Sequence, residues 1–115
     1  MKARTSYRKG IEFERQVRRA LAAIFGDPQV QRGHPTPGTT AVPDVIAPGL
    51  LVECKTGKRV LTLAALRQAV RQTSGRRGFP VAVCKQDRRT AVVTMRFEDF
   101  IVLLREWHEA RLHAR

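Results

Sequence analysis

The sequence is short of acid. Ten Asp and Glu stand against 22 Lys and Arg in 115 residues, giving a net charge of +12 and a pI near 11.4. Such an excess repels itself until a polyanion neutralises it, and nucleic acid is the commonest polyanion in a cell. Most of the cations are arginine, whose planar fork grips phosphate through two parallel hydrogen bonds. A solubility surface or the codon bias of a GC-rich genome ranks second as an explanation. Membrane-surface binding ranks third, because the basic residues are spread along the chain instead of lining one amphipathic helix.

Other scarcities narrow the class. No apolar run approaches the roughly 18 residues of a membrane span. Met1 to Lys9 is basic with no apolar core behind it, so no signal peptide is expected and a cytoplasmic protein is. The two cysteines, Cys54 and Cys84, each sit inside an apolar run. They read as small buried hydrophobes in a reducing compartment, not as a disulfide or a zinc site. The three histidines, His34, His108 and His113, do not cluster, which argues against a histidine metal centre. There is no internal repeat and no low-complexity tract. The length fits one domain, which buries only about two thirds of its unfolded surface, so a second copy would be a natural support.

What is present centres on Pro43 to Lys55. Asp44 opens one apolar run, Pro48-Gly49 makes a turn, and a second apolar run ends in Glu53-Cys54-Lys55. The pattern predicts two short strands joined by the turn. Side chains alternate along a strand, so Glu53 and Lys55 share one face and Cys54 takes the other. Folding the first strand back beside the second brings Asp44 near both. Glu-x-Lys on an average strand is a solvated pair worth a fraction of a kcal/mol. Leu50, Leu51, Val52 and Cys54, however, have the composition of a strand covered on both faces, where charges need a functional reason.

Around this stretch the sequence predicts a basic arm over residues 1–9 and a helix from Gly10 to Phe25, with Phe13, Val17, Ala20, Leu21 and Ile24 on its apolar face. Glu14 falls at the margin of that face, and Glu12 on the solvent side with Arg15 and Arg19. Gln29 to Arg32 reads as a short edge strand. Residues 33–43 form a Pro/Gly-rich loop leading into Asp44, and loops so placed often carry function. Its Thr39 and Thr40 have two readings of equal weight, phosphate contacts or ordinary turn residues. Beyond Lys55 lies a basic turn with Lys58 and Arg59. A helix from Leu63 to about Thr73 follows, capped by Thr62, with Leu66, Ala69 and Val70 inward and Arg67, Gln68, Arg71 and Gln72 outward. Pro80 to Lys85 and Thr90 to Met95 read as strands. Arg96 to Arg111 reads as a final helix carrying Phe97, Phe100, Ile101, Leu103, Leu104 and Trp107. So wide an apolar face implies either another subunit or deep burial within the chain.

The resulting order, α-β-β-β-α-β-β-α with Pro43-Asp44 followed by Glu53-Cys54-Lys55, resembles the core of the PD-(D/E)xK nuclease superfamily. The lead-in Arg8-Lys9-Gly10-Ile11-Glu12-Phe13-Glu14-Arg15 and the later Gly78-Phe79-Pro80-Val81-Ala82-Val83 look like the archaeal-type Holliday junction resolvases, which also occur in some phages. The resemblance runs from about Arg8 to Met95. It implies an α/β restriction-endonuclease-like fold, a mixed central sheet flanked by helices. It also implies a homodimeric, Mg²⁺-dependent endonuclease, with Mn²⁺ able to substitute, that makes paired incisions in four-way DNA junctions. Asp44 and Glu53 would be the main metal ligands, with the Cys54 backbone carbonyl a third and Glu14 completing the site. Lys55 would orient or deprotonate the attacking water, or hold the scissile phosphate. Arg8, Lys9, Arg15 and Arg32 would contact DNA, and Lys58 and Arg59 extend the basic surface. Two alternatives stay open: a repair or restriction-like nuclease acting on flaps, nicks or duplex, and a DNA-binding protein without catalysis.

Overall fold

The computed structural model describes residues 2–33 and 42–114. Helix α1 spans Lys2–Phe25, and a single 3-10 turn covers Asp27–Gln29. Strand β1 is Gln31–Arg32, β2 Val45–Ala47 and β3 Leu50–Gly57; α2 is Thr62–Gln72, β4 Phe79–Gln86, β5 Val92–Met95 and α3 Phe97–His113. The strands form one five-stranded sheet in the order β1-β2-β3-β4-β5. All neighbours are antiparallel except β3 and β4, which run parallel because α2 crosses over between them. The element order read from the sequence holds throughout, and the fold is a mixed α/β sheet flanked by helices.

The central strands are apolar on both sides because both sides are covered. Val45, Ala47, Val52 and Val81 pack with Val17, Leu21 and Phe25 of α1 on one face. Ala82 and Cys84 pack with Ala65 of α2 on the other. In β3 the run Leu51-Val52-Glu53 is buried without interruption, which places a carboxylate inside the molecule.

Several local readings need correction. Of the segment expected as an arm over residues 1–9, the described part from Lys2 onward is the first two turns of α1, which continues through Gly10 without a break. The helix ends where expected: Gly26 takes φ 90 and its N–H donates to the Ala22 carbonyl at 2.8 Å. The first edge strand is only Gln31–Arg32, because Pro28 sets a 3-10 turn just before it. Thr62 does not cap α2; Leu61 holds the extended cap position and no side chain bonds the first turn. The buried stripe of α2 is Ala65 and Ala69, continued by Thr73 just past its end, since small side chains let a helix lie close on a sheet, while Leu66 and Val70 are half-buried. The loop residues His34, Thr39 and Thr40 lie outside the described residues.

Gly78 shows why the parallel pair begins where it does. The Phe79 N–H donates to the Gly49 carbonyl at 2.8 Å, drawing the start of β4 against the β2–β3 turn. A β-carbon on Gly78 would lie 3.2 Å from the Gly49 carbonyl carbon and from Leu51 Cγ, at a φ of +125. Gly75 also has positive φ, at +81, but faces open space. Gly78→Ala is expected to cost about 1–3 kcal/mol, clearly more than Gly75→Ala, when thermal unfolding of the two variants is compared with wild type.

Candidate active site

The site begins with strand register. Val45 pairs with Val52, Ile46 with Leu51 and Ala47 with Leu50, so the residue before β2, Asp44, stands opposite Glu53. The turn that sets this register is Pro48-Gly49, with Gly49 at φ 76, a conformation glycine adopts freely. The Cys54 N–H donates to Asp44 Oδ2 at 2.8 Å and holds that carboxylate against β3.

Glu53 is only 4% exposed. Its Oε1 accepts from Gln68 Nε2 at 3.3 Å and lies 3.6 Å from Lys55 Nζ. Its Oε2 is buried with no hydrogen-bond partner, an arrangement that costs free energy when nothing positive faces it. Burial, then the Asp44 charge, push the Glu53 carboxyl up to about 7, although Lys55 opposes both. Glu14 arrives from α1, half-buried at the margin of the apolar face as expected. Burial and then Asp44 raise its pKa, while Arg32 and Arg18 pull it down. Arg32 Nε sits 3.9 Å from Glu14 Oε2.

The Cys54 thiol registers the same convergence from behind. Burial pushes its pKa up first, and Asp44, Glu14 and Glu53 all add to that. The charges of three carboxylates from three segments thus reach one residue of β3. Of the four residues singled out in the sequence, Asp44 stands opposite Glu53 and Lys55 lies 3.6 Å from Glu53, while Glu14 approaches from α1 with Arg32 at 3.9 Å.

These side chains suit a hard cation. Asp44 gives one oxygen to Cys54 and keeps another, and Glu53 has a buried oxygen unclaimed. Among the described residues no three His, Cys, Asp or Glu side chains are placed to hold one metal ion between them. Mg²⁺ is held by one or two carboxylates and keeps several waters, and Asp44 with Glu53 offers two.

Gln68 was missed by sequence reasoning, which placed it outward. It flanks the Ala65-Ala69-Thr73 stripe, so it reaches over the sheet to Glu53, and the run of small residues was the available signal. It also helps to line a cleft of about 360 Å³ between β3 and α2, with Lys55, Thr56, Arg59 and Arg71. The other expected DNA contacts are dispersed. Arg8, Lys58 and Arg59 are exposed, Arg15 lies 4.0 Å from Glu12, and Lys9 is 3.2 Å from Asp87.

A pKa raised above the ordinary 4.5 means that the folded state holds this proton more tightly than the unfolded one. That contribution to stability is complete below about pH 4.5, shrinks as pH rises, and is gone above about 7. In the absence of metal, Glu53→Gln is therefore expected to melt several degrees above wild type at pH 8. The gap should close below pH 4.5, and thermal unfolding across that range measures it.

No protein-family model, curated protein or solved structure matches this chain, so the chemistry of the cluster rests on the residues described above.

Proposed function

We propose that this chain is a divalent-metal-dependent endonuclease that hydrolyses DNA phosphodiester bonds, with four-way junctions as its substrate. The observation that carries the reading is Asp44 set against the buried Glu53, with Lys55 3.6 Å away, on a chain of net charge +12. Acids gathered against their own repulsion serve no purpose in a protein that only binds a polyanion. They make sense where a cation is to be held next to phosphate. The restriction-endonuclease-like core belongs to the same proposal.

Asp44, Glu53 and Glu14, with the Cys54 carbonyl, would hold Mg²⁺ or Mn²⁺. The bound ion supplies charge neutralisation at phosphate and acidifies a water. The protein's own parts are then distinct. Gln68 and Lys55 fix the Glu53 carboxylate from two sides. Lys55, half-exposed at the mouth of the cleft, is placed to hold a phosphate oxygen or to orient the attacking water. Arg59 and Arg71 extend that cleft as a track for the sugar-phosphate backbone. Arg8 and Lys58 add exposed positive charge, whereas Lys9, Arg15 and Arg32 are already engaged by Asp87, Glu12 and Glu14. Paired, symmetrical incisions need two such sites, hence two chains.

The test compares cleavage of a four-way junction, a flap and linear duplex, each with Mg²⁺ and with EDTA. Metal-dependent cutting confined to the junction is expected. Equal cutting of all three would replace junction resolution with general nuclease activity, and binding without cutting by wild type would leave a DNA-binding protein. Asp44→Asn and Glu53→Gln are each expected to reduce cleavage at least a thousandfold while junction binding in EDTA holds or tightens, because the removed charges repel phosphate. A variant that cuts at the wild-type rate would remove these residues from the site.

A further inference from the structure

Three arginines stand together on α1 beside the carboxylate site. Arg15, Arg18 and Arg19 recur at spacings of three and four, so they share one side of the helix. With Ala22 of the same helix, and Asp27 and Val30 from the segment after it, they line a cavity of about 470 Å³. Val30 and Ala22 belong to the main core cluster, so the cavity is rooted in the body of the molecule. Like charges three and four apart destabilise a helix, and the chain does little to offset them here. Among the described residues neither Arg18 nor Arg19 has a carboxylate within 4.0 Å, and Arg15 has only Glu12, at 4.0 Å. Asp27 lines the cavity without pairing with any of the three. Three guanidinium groups against one carboxylate leave the lining with a charge of +2.

Arg18 is the distinctive member of the group. Its side chain is half-buried, and its Nε is shut away from water with no hydrogen-bond partner. A guanidinium rooted in this way is held in place before a ligand arrives, which lowers the ordering cost of binding. The unmet N–H also costs free energy, which an acceptor oxygen entering the cavity would recover. Arg18 follows Glu14 by one turn, and its charge is felt there, so the cavity lies next to the carboxylates on the α1 side. The Lys55 cleft lies between β3 and α2, a separate place.

We propose that this cavity, with Arg18 and Arg19 as its principal donors, binds a phosphate group. Each guanidinium offers paired N–H donors, and a phosphate has more oxygens to accept them than a carboxylate has. A phosphate charge of one to two also suits a lining of +2. The volume falls within the range of about 300–1,000 Å³ that small-molecule sites span, so it admits the group together with what carries it. That carrier is either a nucleic acid strand or a free phosphate compound, since both present the same oxygens. The assignment is independent of the nuclease reading, because it needs neither metal nor cleavage, and failure of one leaves the other standing.

Two binding measurements in EDTA test it: fluorescence anisotropy of a labelled linear duplex over a range of salt, and calorimetric titration with pyrophosphate. If a strand occupies the cavity, Arg18→Met and Arg19→Gln should each weaken duplex binding roughly tenfold and lower the salt slope by about 1, the loss of one phosphate contact. Arg18→Lys keeps the charge without the fork and should hold the slope while losing part of the affinity. If a free phosphate compound occupies it, wild type should bind pyrophosphate saturably and Arg18→Met should not, with the duplex slope unchanged. Arg19 is exposed, so Arg19→Gln carries the test even where Arg18→Met fails to fold. Arg105→Gln, an exposed position on α3, removes the same charge elsewhere and should change neither measurement. Variants at Arg18 and Arg19 that match wild type in both measurements would overturn the proposal. So would an equal loss of slope in Arg105→Gln, which would assign the binding to the general positive field and not to this cavity.

Discussion

Everything at the carboxylate cluster depends on one hydrogen-bonded register, the antiparallel pairing of β2 with β3 across Pro48-Gly49. That pairing alone sets Asp44 against Glu53, and the Cys54 N–H then locks Asp44 in place at 2.8 Å. The apolar residues of the two strands provide the driving force. Val45, Ala47, Leu51 and Val52 are all buried, and the hydrophobic gain of burying them is what holds two like charges together. Stability and chemistry are therefore in tension at this spot. The core closes around Glu53 although the charged form of Glu53 opposes closure, a trade typical of sites built for a ligand that arrives later.

Electrostatics organises the molecule on a larger scale as well. The body is strongly basic, its acids are few, and those few are concentrated. Three meet around Cys54 and four ride on α3. The remaining three acids are spread through a chain of 22 Lys and Arg, so the excess of positive charge lies outside the carboxylate pair and the last helix. The cleft beside Lys55, with Arg59 and Arg71, brings basic side chains next to Gln68, the partner of Glu53.

Much of this could be read from the sequence, for definite reasons. Strand alternation put Glu53 and Lys55 on one face, and their Oε1 and Nζ stand 3.6 Å apart. Helical periodicity put Glu14 at the border of a core and Glu12 in solvent, and both are so placed. Both patterns express backbone geometry alone. Gln68 and the facing of α2 were not legible, because they depend on how closely a helix settles onto a particular sheet. Helical spacing gives a face but does not weigh Ala against Leu as the contact. The first two turns of α1 were also lost: a run of Arg and Lys offers no apolar stripe, and the helix carries through it from the packed half. The wide apolar face of α3 was visible in sequence, and burial within the single chain does not account for it, because that face is exposed.

The tight hairpin also limits how this chain can vary. Each residue added to or removed from the stretch between Asp44 and Glu53 reverses the side of the sheet on which the following side chains emerge. A single insertion would carry Glu53 and Lys55 toward α1 and turn Cys54 toward α2, dismantling the cluster without altering any of its members. Drift in this segment is thus confined to even steps that lengthen both arms together.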